Sequence, residues 1–344
     1  MKINKRAAGF SIIALIILAY ALIFHRPKAT AELPYTHNEG KAQGTYYSAV
    51  YQHPEGKDIQ SEIEKFFAEF DASLSTYNPN SIISGINKNV DSVTTDVYFE
   101  TMYNSARKVS EKTNGAFDIT VAPLVNAWGF GFGNKDHAEA PDIKPIMPLI
   151  GYEKISLENH RIVKQNPDIM LDASAIAQGL SADLIAELFE KHGCKNYMID
   201  IGGEIVCKGK NPKGNNWQIG IDKPVDDPVN ESAEIQTILS ITNVGLTTSG
   251  NYRQFYFRDG KKFAHTIDPR TGKPVDHNML SATVVAADCM TADAYATAFM
   301  VLGVDSAMKV CNSIDGLDCY LIYSDEKGEF KTIYTKGFEK YLQK

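Results

Sequence analysis

Asp293 and Thr297 stand four residues apart in MTADAYATAFMVLG, residues 290–303, a run whose other side chains are mostly apolar or small. On a helix of about 3.6 residues per turn this spacing lays both oxygens on one face. A carboxylate beside a neutral hydroxyl suits a hard cation such as Mg2+, with a main-chain carbonyl and a phosphate oxygen completing its shell. The same pair also fits a mid-helix threonine bonded to the carbonyl four residues back and an aspartate satisfied by a neighbouring loop. The spacing alone leaves both readings open.

Four further stretches carry groups suited to chemistry, and each has a purely structural reading beside the functional one. In FAHTIDPRTGKPV a strand presents His265, placed to contact a phosphate or move a proton, and then turns at Asp268 to Gly272, where every residue favours a turn. DASAIAQGLSADLI leads Asp172 through small residues into a helix, whose first amides can face an anion or whose small side chains can simply pack against a sheet. TNGAFDITVAPLVNAWGFG sets Phe117 and Asp118 beside Gly115, with Trp128 among small residues; such aromatics are commoner in cores than against ligands. LTTSGNYRQF offers Thr247, Thr248, Ser249 and Gly250 next to Arg253, either an anion-contacting loop or a hairpin turn.

These groups need elements to hold them. GTYYSAVY alternates as a strand opening the folded domain, and Ile59, Ile63, Phe66, Phe67, Phe70 and Leu74 recur at helical spacing before the turn in STYNPNS. A second helix is predicted from Asp96 to Lys112, and a third from Ser181 to His192 with Gly193 as a left-handed cap. YMIDIGGEIVCKG and WQIGID read as adjacent strands, with Gly202 and Gly203 marking a bulge or a close approach of backbone. IQTILSIT, RQFYF and ATVVAAD supply more strands, helices follow from Met290 and Val304, and CYLIYS is the last strand. Gly129 to Pro148 reads as a long surface excursion. No repeat or composition shift divides the chain, so one mixed α+β domain with largely antiparallel sheets is expected over residues 44–344.

The 344 residues are 44% hydrophobic and 22% charged, which describes a globular chain with a substantial core. Lys2, Lys5 and Arg6 precede an uncharged run from Gly9 to Phe24, so residues 1–31 read as an export signal or membrane anchor and residues 32–43 as a linker. The flanking positive charge places the folded part outside the cytoplasmic membrane. The formal charge is −7, and the first 31 residues hold only basic charges, so the body is more acidic still and nucleic acid is a poor partner. Cys194, Cys207, Cys289, Cys311 and Cys319 show no metal-binding spacing and read as core residues, one bridge between two of them being compatible with an oxidising compartment.

Taken in order, STYNPNSIISGIN, GAFDITVAPLVNAWGFG, DASAIAQGLSAD, TSGNYRQF, HTIDPRTGKP and MTADAYATAFMVLG resemble the ApbE family, the FAD:protein FMN transferases that flavinylate exported respiratory proteins. The likeness covers nearly everything from Gly44 to Gly303. It implies α+β architecture with FAD in a cleft between two halves of one domain. By the same resemblance, Tyr77, Ala116, Phe117 and Asp118 bound the isoalloxazine and adenine, while Asp172, Gln178, His265 and Ile267 approach the rest of the cofactor. Mg2+ takes Asp293, Thr297 and the main-chain oxygen of Ala175. Gln43 replaces a methionine common in the family before the first Gly-Thr, and Gln178 replaces an acidic or lysine side chain, so contacts at these two positions are the least transferable.

The implied reaction breaks the FAD pyrophosphate with AMP as leaving group. Attack by a threonine or serine hydroxyl of an exported subunit of a membrane electron-transfer complex gives protein-bound FMN; attack by water gives free FMN. His265 and Asp293 are the candidates for proton transfer. An FAD pyrophosphatase shares every ligand named, a periplasmic flavin-binding protein needs the cleft but not the Asp293 and Thr297 pair, and a purely structural exported protein predicts no flavin affinity at all.

Overall fold

A computed structural model describes residues 33–131, 140–224, 234–251, 255–258 and 261–343. The export or anchor segment, the middle of the Gly129–Pro148 excursion and Arg253 lie outside these residues. Among the described residues no helix is long and apolar enough to cross a membrane.

Strand β1 (Thr36–Ala42) pairs antiparallel with β2 (Thr45–Tyr51) across a two-residue turn. Gln43 and Gly44 fill that turn with φ of 52° and 78°, the conformation that lets a tight hairpin follow the strand twist. The first strand therefore starts well before residue 44, inside the stretch read from sequence as a linker. THNEGKA hid it because only Asn38 and Ala42 turn inward, leaving no apolar alternation to see.

The chain continues through α1 (Gln60–Leu74), α2 (Ile82–Asn87), α3 (Val97–Lys112) and α4 (Ala122–Ala127), then the hairpin β3 (Ile155–Glu158) and β4 (Arg161–Lys164). Helix α1 buries Ile63, Phe67, Phe70 and Leu74 on one face, as its spacing requires. Asp96 starts α3 by accepting the Phe99 amide at 2.9 Å. Helix α5 (Ala177–Lys191) begins four residues before the predicted Ser181, and Gly193 just beyond it has φ of 78°, as expected of a left-handed cap.

Next come β5 (Tyr197–Ile201), β6 (Glu204–Lys208), β7 (Trp217–Asp222), β8 (Ile235–Ile241) and β9 (Val244–Gly250). Here the strand reading needs correction: YMIDIGGEIVCKG is itself a hairpin, with Gly202 and Gly203 as its turn, and β7 pairs with β8 in a separate ribbon. TTSG likewise is neither loop nor turn but the end of β9, inside the main sheet. The short ribbons β10 (Phe255–Arg258) with β11 (Lys261–Ala264) and β12 (Ile267–Asp268) with β13 (Lys273–Pro274) precede β14 (Met279–Ala286). Helices α6 (Cys289–Leu302) and α7 (Val304–Asn312) and strands β15 (Asp318–Ser324) and β16 (Phe330–Tyr334) complete the fold.

The main sheet has the order β1-β2-β5-β6-β9-β14-β15-β16 with every neighbouring pair antiparallel. Alternation along each strand sorts the two faces. Tyr47, Ala49 and Tyr51 of β2 pack with Phe67 and Phe189, and Ala282 and Val284 of β14 join the cluster of α3 and α6 residues. On the opposite face Ile205, Leu246, Val285 and Ile322 meet Trp217, Leu239 and Phe338. Covered on both sides, β14 reads as a nearly continuous buried run. Tyr35–Lys344 is one compact α+β unit, as expected, and all five cysteines are buried free thiols.

Candidate active site

Helix α6 is buried almost all round, so its polar ends need partners from inside the protein. Asp288 accepts the Thr291 amide at 2.8 Å as an ordinary N-cap. The two amides before it, Cys289 and Met290, donate to Oδ1 and Oδ2 of Asp183 in α5, each at 2.8 Å. Two glycines let the chain come so close. A Cβ on Gly179 of α5 would sit 2.6 Å from the Cys289 carbonyl oxygen, and one on Gly245 of β9 would sit 2.3 Å from the Cys289 nitrogen.

Four residues into α6, Asp293 reaches back to α5 and its Oδ2 accepts the Gly179 amide at 3.1 Å. In an unbroken helix that amide would point at the carbonyl of Ala175. Ala177 donates to Ala173 and Leu180 to Ile176 in the helical pattern, but among the described residues neither the Gln178 nor the Gly179 amide bonds the carbonyl four residues back. The Ala175 carbonyl is left without a hydrogen bond among the described residues, and so is Asp293 Oδ1. Burial pushes the Asp293 carboxyl up to about 7, the Gly179 amide offsetting part of that rise. One turn on, Thr297 Oγ1 has only a long 3.5 Å contact with Ser249 Oγ from β9. Among the described residues no group of three or more His, Cys, Asp or Glu side chains is placed to hold a metal. What this corner offers is one carboxylate and two neutral oxygens with little hydrogen-bond competition. That donor set fits Mg2+, which commonly keeps one or two carboxylates and fills its remaining positions with water and phosphate.

The approach to α5 gathers the next residues. Leu171 exchanges two hydrogen bonds with the Asn87 side chain, at 2.7 and 2.9 Å, and the Asp172 amide donates to the Ile119 carbonyl at 2.7 Å. Asp172 Oδ1 accepts the amide and hydroxyl of Ser174, fixing the turn before Ala175. Gln43, in the β1–β2 turn, accepts the Ser181 hydroxyl at 3.3 Å, while its Nε2 is buried with no hydrogen bond among the described residues. Gln178 Nε2 lies 3.4 Å from the place a Cβ on Gly202 would take. Gly202 also lines a cleft of about 1050 Å³ between the open face of the sheet and β7, on the side of the sheet away from α6.

Asp118 serves its own loop. Its oxygens accept the Thr120 amide at 2.8 Å, the Thr120 hydroxyl at 2.7 Å and the Tyr152 amide at 2.7 Å, and burial raises its carboxyl despite these bonds. Ala116 and Phe117 are buried, Phe117 in the core that includes α3 and α6. Ile267 packs with Leu124, Trp128 and Ile150, and Trp128 Nε1 donates to the Gly272 carbonyl at 2.9 Å, which ties the β12–β13 turn to α4. His265 is half-buried, its ring edge-on to Phe130 at 6.4 Å. Tyr77 stands 78% exposed in the turn between α1 and α2, available to a ligand but held by none of these contacts. Removing the indole donor tests the tie: Trp128→Phe is expected to lower stability by about 1 kcal/mol, the worth of one neutral hydrogen bond, measured by urea unfolding.

The structure thus brings Gln43, Asp172, Ala175, Gln178 and Asp293 around the start of α5, with Thr297 one turn further along α6 against β9 and Ala116–Asp118 joined through Ile119. Sequence reasoning missed Asp183, although it closes the DASAIAQGLSAD stretch. An aspartate in a helix reads as a solvated side chain; the available signal was that Asp183 falls one turn after Gly179, on the face where the helix carries its smallest residues.

The ApbE family model matches residues 43–321. The FAD:protein FMN transferase of Vibrio cholerae is 34% identical over 344 residues, spanning 96% of this chain and 99% of that protein. The FAD:protein FMN transferase of Escherichia coli is 34% identical over 345 residues, spanning 95% and 96%. Among solved structures, the flavin transferase ApbE from Vibrio cholerae aligns with a TM-score of 0.81 at 32% identity, covering 90% of this chain and 99% of that one. The apo form of Pseudomonas stutzeri flavinyl transferase ApbE aligns at 0.77 with 28% identity, covering 89% and 96%.

Proposed function

The chain belongs to the ApbE family, and we propose that it is an FAD:protein FMN transferase that moves FMN from FAD to a threonine or serine hydroxyl of an acceptor protein and releases AMP. The observation that carries the metal part of this reading is the diverted Gly179 amide: by donating to Asp293 it frees the Ala175 carbonyl beside a buried carboxylate.

FAD is FMN and AMP joined through a pyrophosphate. The acceptor oxygen forms a bond to the phosphorus on the FMN side, the bond from that phosphorus to the bridging oxygen breaks, and the bridging oxygen leaves with AMP. The hydroxyl proton passes to a base, for which His265 and Asp293 are the candidates. Mg2+ held by Asp293, Thr297 and the Ala175 carbonyl would supply Lewis-acid neutralisation of the pyrophosphate oxygens. Tyr77, Ala116, Phe117, Asp118, Asp172, Gln178, His265 and Ile267 are assigned to FAD on the strength of the family likeness. Gln43 has support of its own, because its buried and unpartnered Nε2 is a donor awaiting an acceptor. Gln43→Asn tolerates the left-handed turn but withdraws that donor, and is expected to weaken FAD binding about fivefold, as the loss of one hydrogen bond of about 1 kcal/mol implies, read by flavin fluorescence.

The basic residues before the apolar run Gly9–Phe24 support placement outside the cytoplasmic membrane, with acceptors among exported subunits of electron-transfer complexes. A reporter active only after export, fused behind residue 31, tests the placement. Transferase and pyrophosphatase readings separate in one assay: AMP is measured from FAD and Mg2+ with and without a protein bearing Asp-x-x-Thr/Ser-x-Ala-Thr, the acceptor segment that the resemblance to the ApbE family implies. The transferase reading requires AMP to appear in step with acceptor, whereas equal AMP without it favours hydrolysis.

A further inference from the structure

We propose that Asp183 is a positioning residue for the cation site, acting through α6 without touching the cation; this rests on the reading of Asp293, Thr297 and Ala175 as Mg2+ ligands. Those ligands come from two separate elements, so their spacing is only as firm as the register between α5 and α6. Each helix lends the other a carboxylate. Asp183 of α5 holds the amides of Cys289 and Met290, and Asp293 of α6 holds the amide of Gly179. Gly179 and Asp183 lie one turn apart on one face of α5, while Cys289 and Asp293 lie one turn apart on the facing side of α6. One such tie would leave α6 free to pivot about it. Two ties a turn apart fix both rotation and translation.

Capping alone does not account for the arrangement. Asp288 already caps α6 from within its own loop. The two remaining amides are instead bound to the helix whose leading segment carries Ala175, and the glycines at 179 and 245 remove any slack. Asp183 therefore couples the start of α6 to the position of the Ala175 carbonyl.

The test compares Mg2+ dependence of FMN transfer in wild type, Asp183→Asn, Asp183→Glu and Asp288→Ala. Asparagine offers one acceptor oxygen where two amides need one each. Asp183→Asn is expected to raise the Mg2+ concentration for half-maximal rate about tenfold, the lower end for loss of a residue that orients metal ligands, while kcat at saturating Mg2+ stays within about threefold. FAD binding without Mg2+ is expected to be unchanged. Asp183→Glu keeps both oxygens on a longer arm and is expected to shift the same Mg2+ requirement, which serves if the asparagine variant does not fold. Asp288→Ala removes a cap but not the α5 tie, so it should lower Tm and leave the Mg2+ requirement alone. The proposal is overturned if the Asp183 variants lose stability with an unaltered Mg2+ requirement, or if Asp288→Ala shifts that requirement equally. Wild-type transfer unaffected by EDTA overturns the metal reading itself, and the proposal with it.

Discussion

Asp293→Ala is expected to lower the rate of AMP release from FAD in the presence of acceptor by about a thousandfold, roughly 4 kcal/mol of transition-state stabilisation. Alanine removes the one carboxylate of the donor set and leaves Thr297 and the Ala175 carbonyl, two neutral oxygens that cannot hold a divalent cation against water. It also strands the Gly179 amide, whose one partner among the described residues is Asp293 Oδ2. A buried donor without a partner costs about 1–3 kcal/mol, so Tm should fall too. Asp293→Asn separates the two effects. Its amide oxygen can still accept from Gly179, which retains most of the stability, but the charge is gone and the rate should remain low. A variant that keeps near wild-type rates with either substitution would remove Asp293 from the cation site.

The second large effect concerns the closeness of α5, α6 and β9. Gly179→Ala gains about 1 kcal/mol in helix propensity, yet its Cβ would lie 2.6 Å from the Cys289 oxygen and 2.8 Å from the Met290 Cα, both backbone atoms. Gly245→Ala meets the Cys289 nitrogen at 2.3 Å and the Asp288 carbonyl carbon at 2.4 Å. No rotamer change relieves a collision with backbone, and overpacking of this kind costs about 1–3 kcal/mol or more. The clash outweighs the propensity gain, so both variants should unfold at lower temperature. Both should also lose transfer activity, because separating the helices separates the Ala175 carbonyl from Asp293. Gly220→Ala is the comparison: its nearest neighbour is the Ile235 side chain at 3.5 Å, ordinary contact, and its Tm should stay close to wild type. Calorimetry of the three variants side by side checks the argument. Equal stability in all three would contradict it.

What could be read from sequence was what local spacing encodes. Asp293 and Thr297 share a face because four residues make about one turn, α1 and α3 follow from their own periodicity, and β15 from its continuous apolar run. Strand β1 was illegible because THNEGKA, on the sheet edge, buries only two residues and so carries no apolar pattern. The pairing of β7 with the following β8 rather than with the preceding β6 was equally hidden, since the choice between two neighbouring strands is made by packing on the second face of the sheet. The role of Asp183 depends on which amides arrive from α6, more than a hundred residues later. Its own neighbourhood offers only a weak sign, its place one turn after Gly179 on the small-residue face of α5. The six stretches carrying the family likeness named the candidate residues, but only the fold shows that Gly179 gives its amide to Asp293 and that Asp118 holds Thr120 and Tyr152.

The central claim is that this chain transfers FMN to protein, and intact-mass spectrometry of an acceptor tests it most directly. A purified protein bearing Asp-x-x-Thr-x-Ala-Thr is incubated with FAD and the full-length enzyme, with Mg2+ in one sample and EDTA in the other. A mass gain equal to one FMN phosphoester is expected in the Mg2+ sample, matched by one AMP per acceptor, with unmodified acceptor in EDTA. Unmodified acceptor in both samples, whether FAD survives or is split to FMN and AMP, would contradict it.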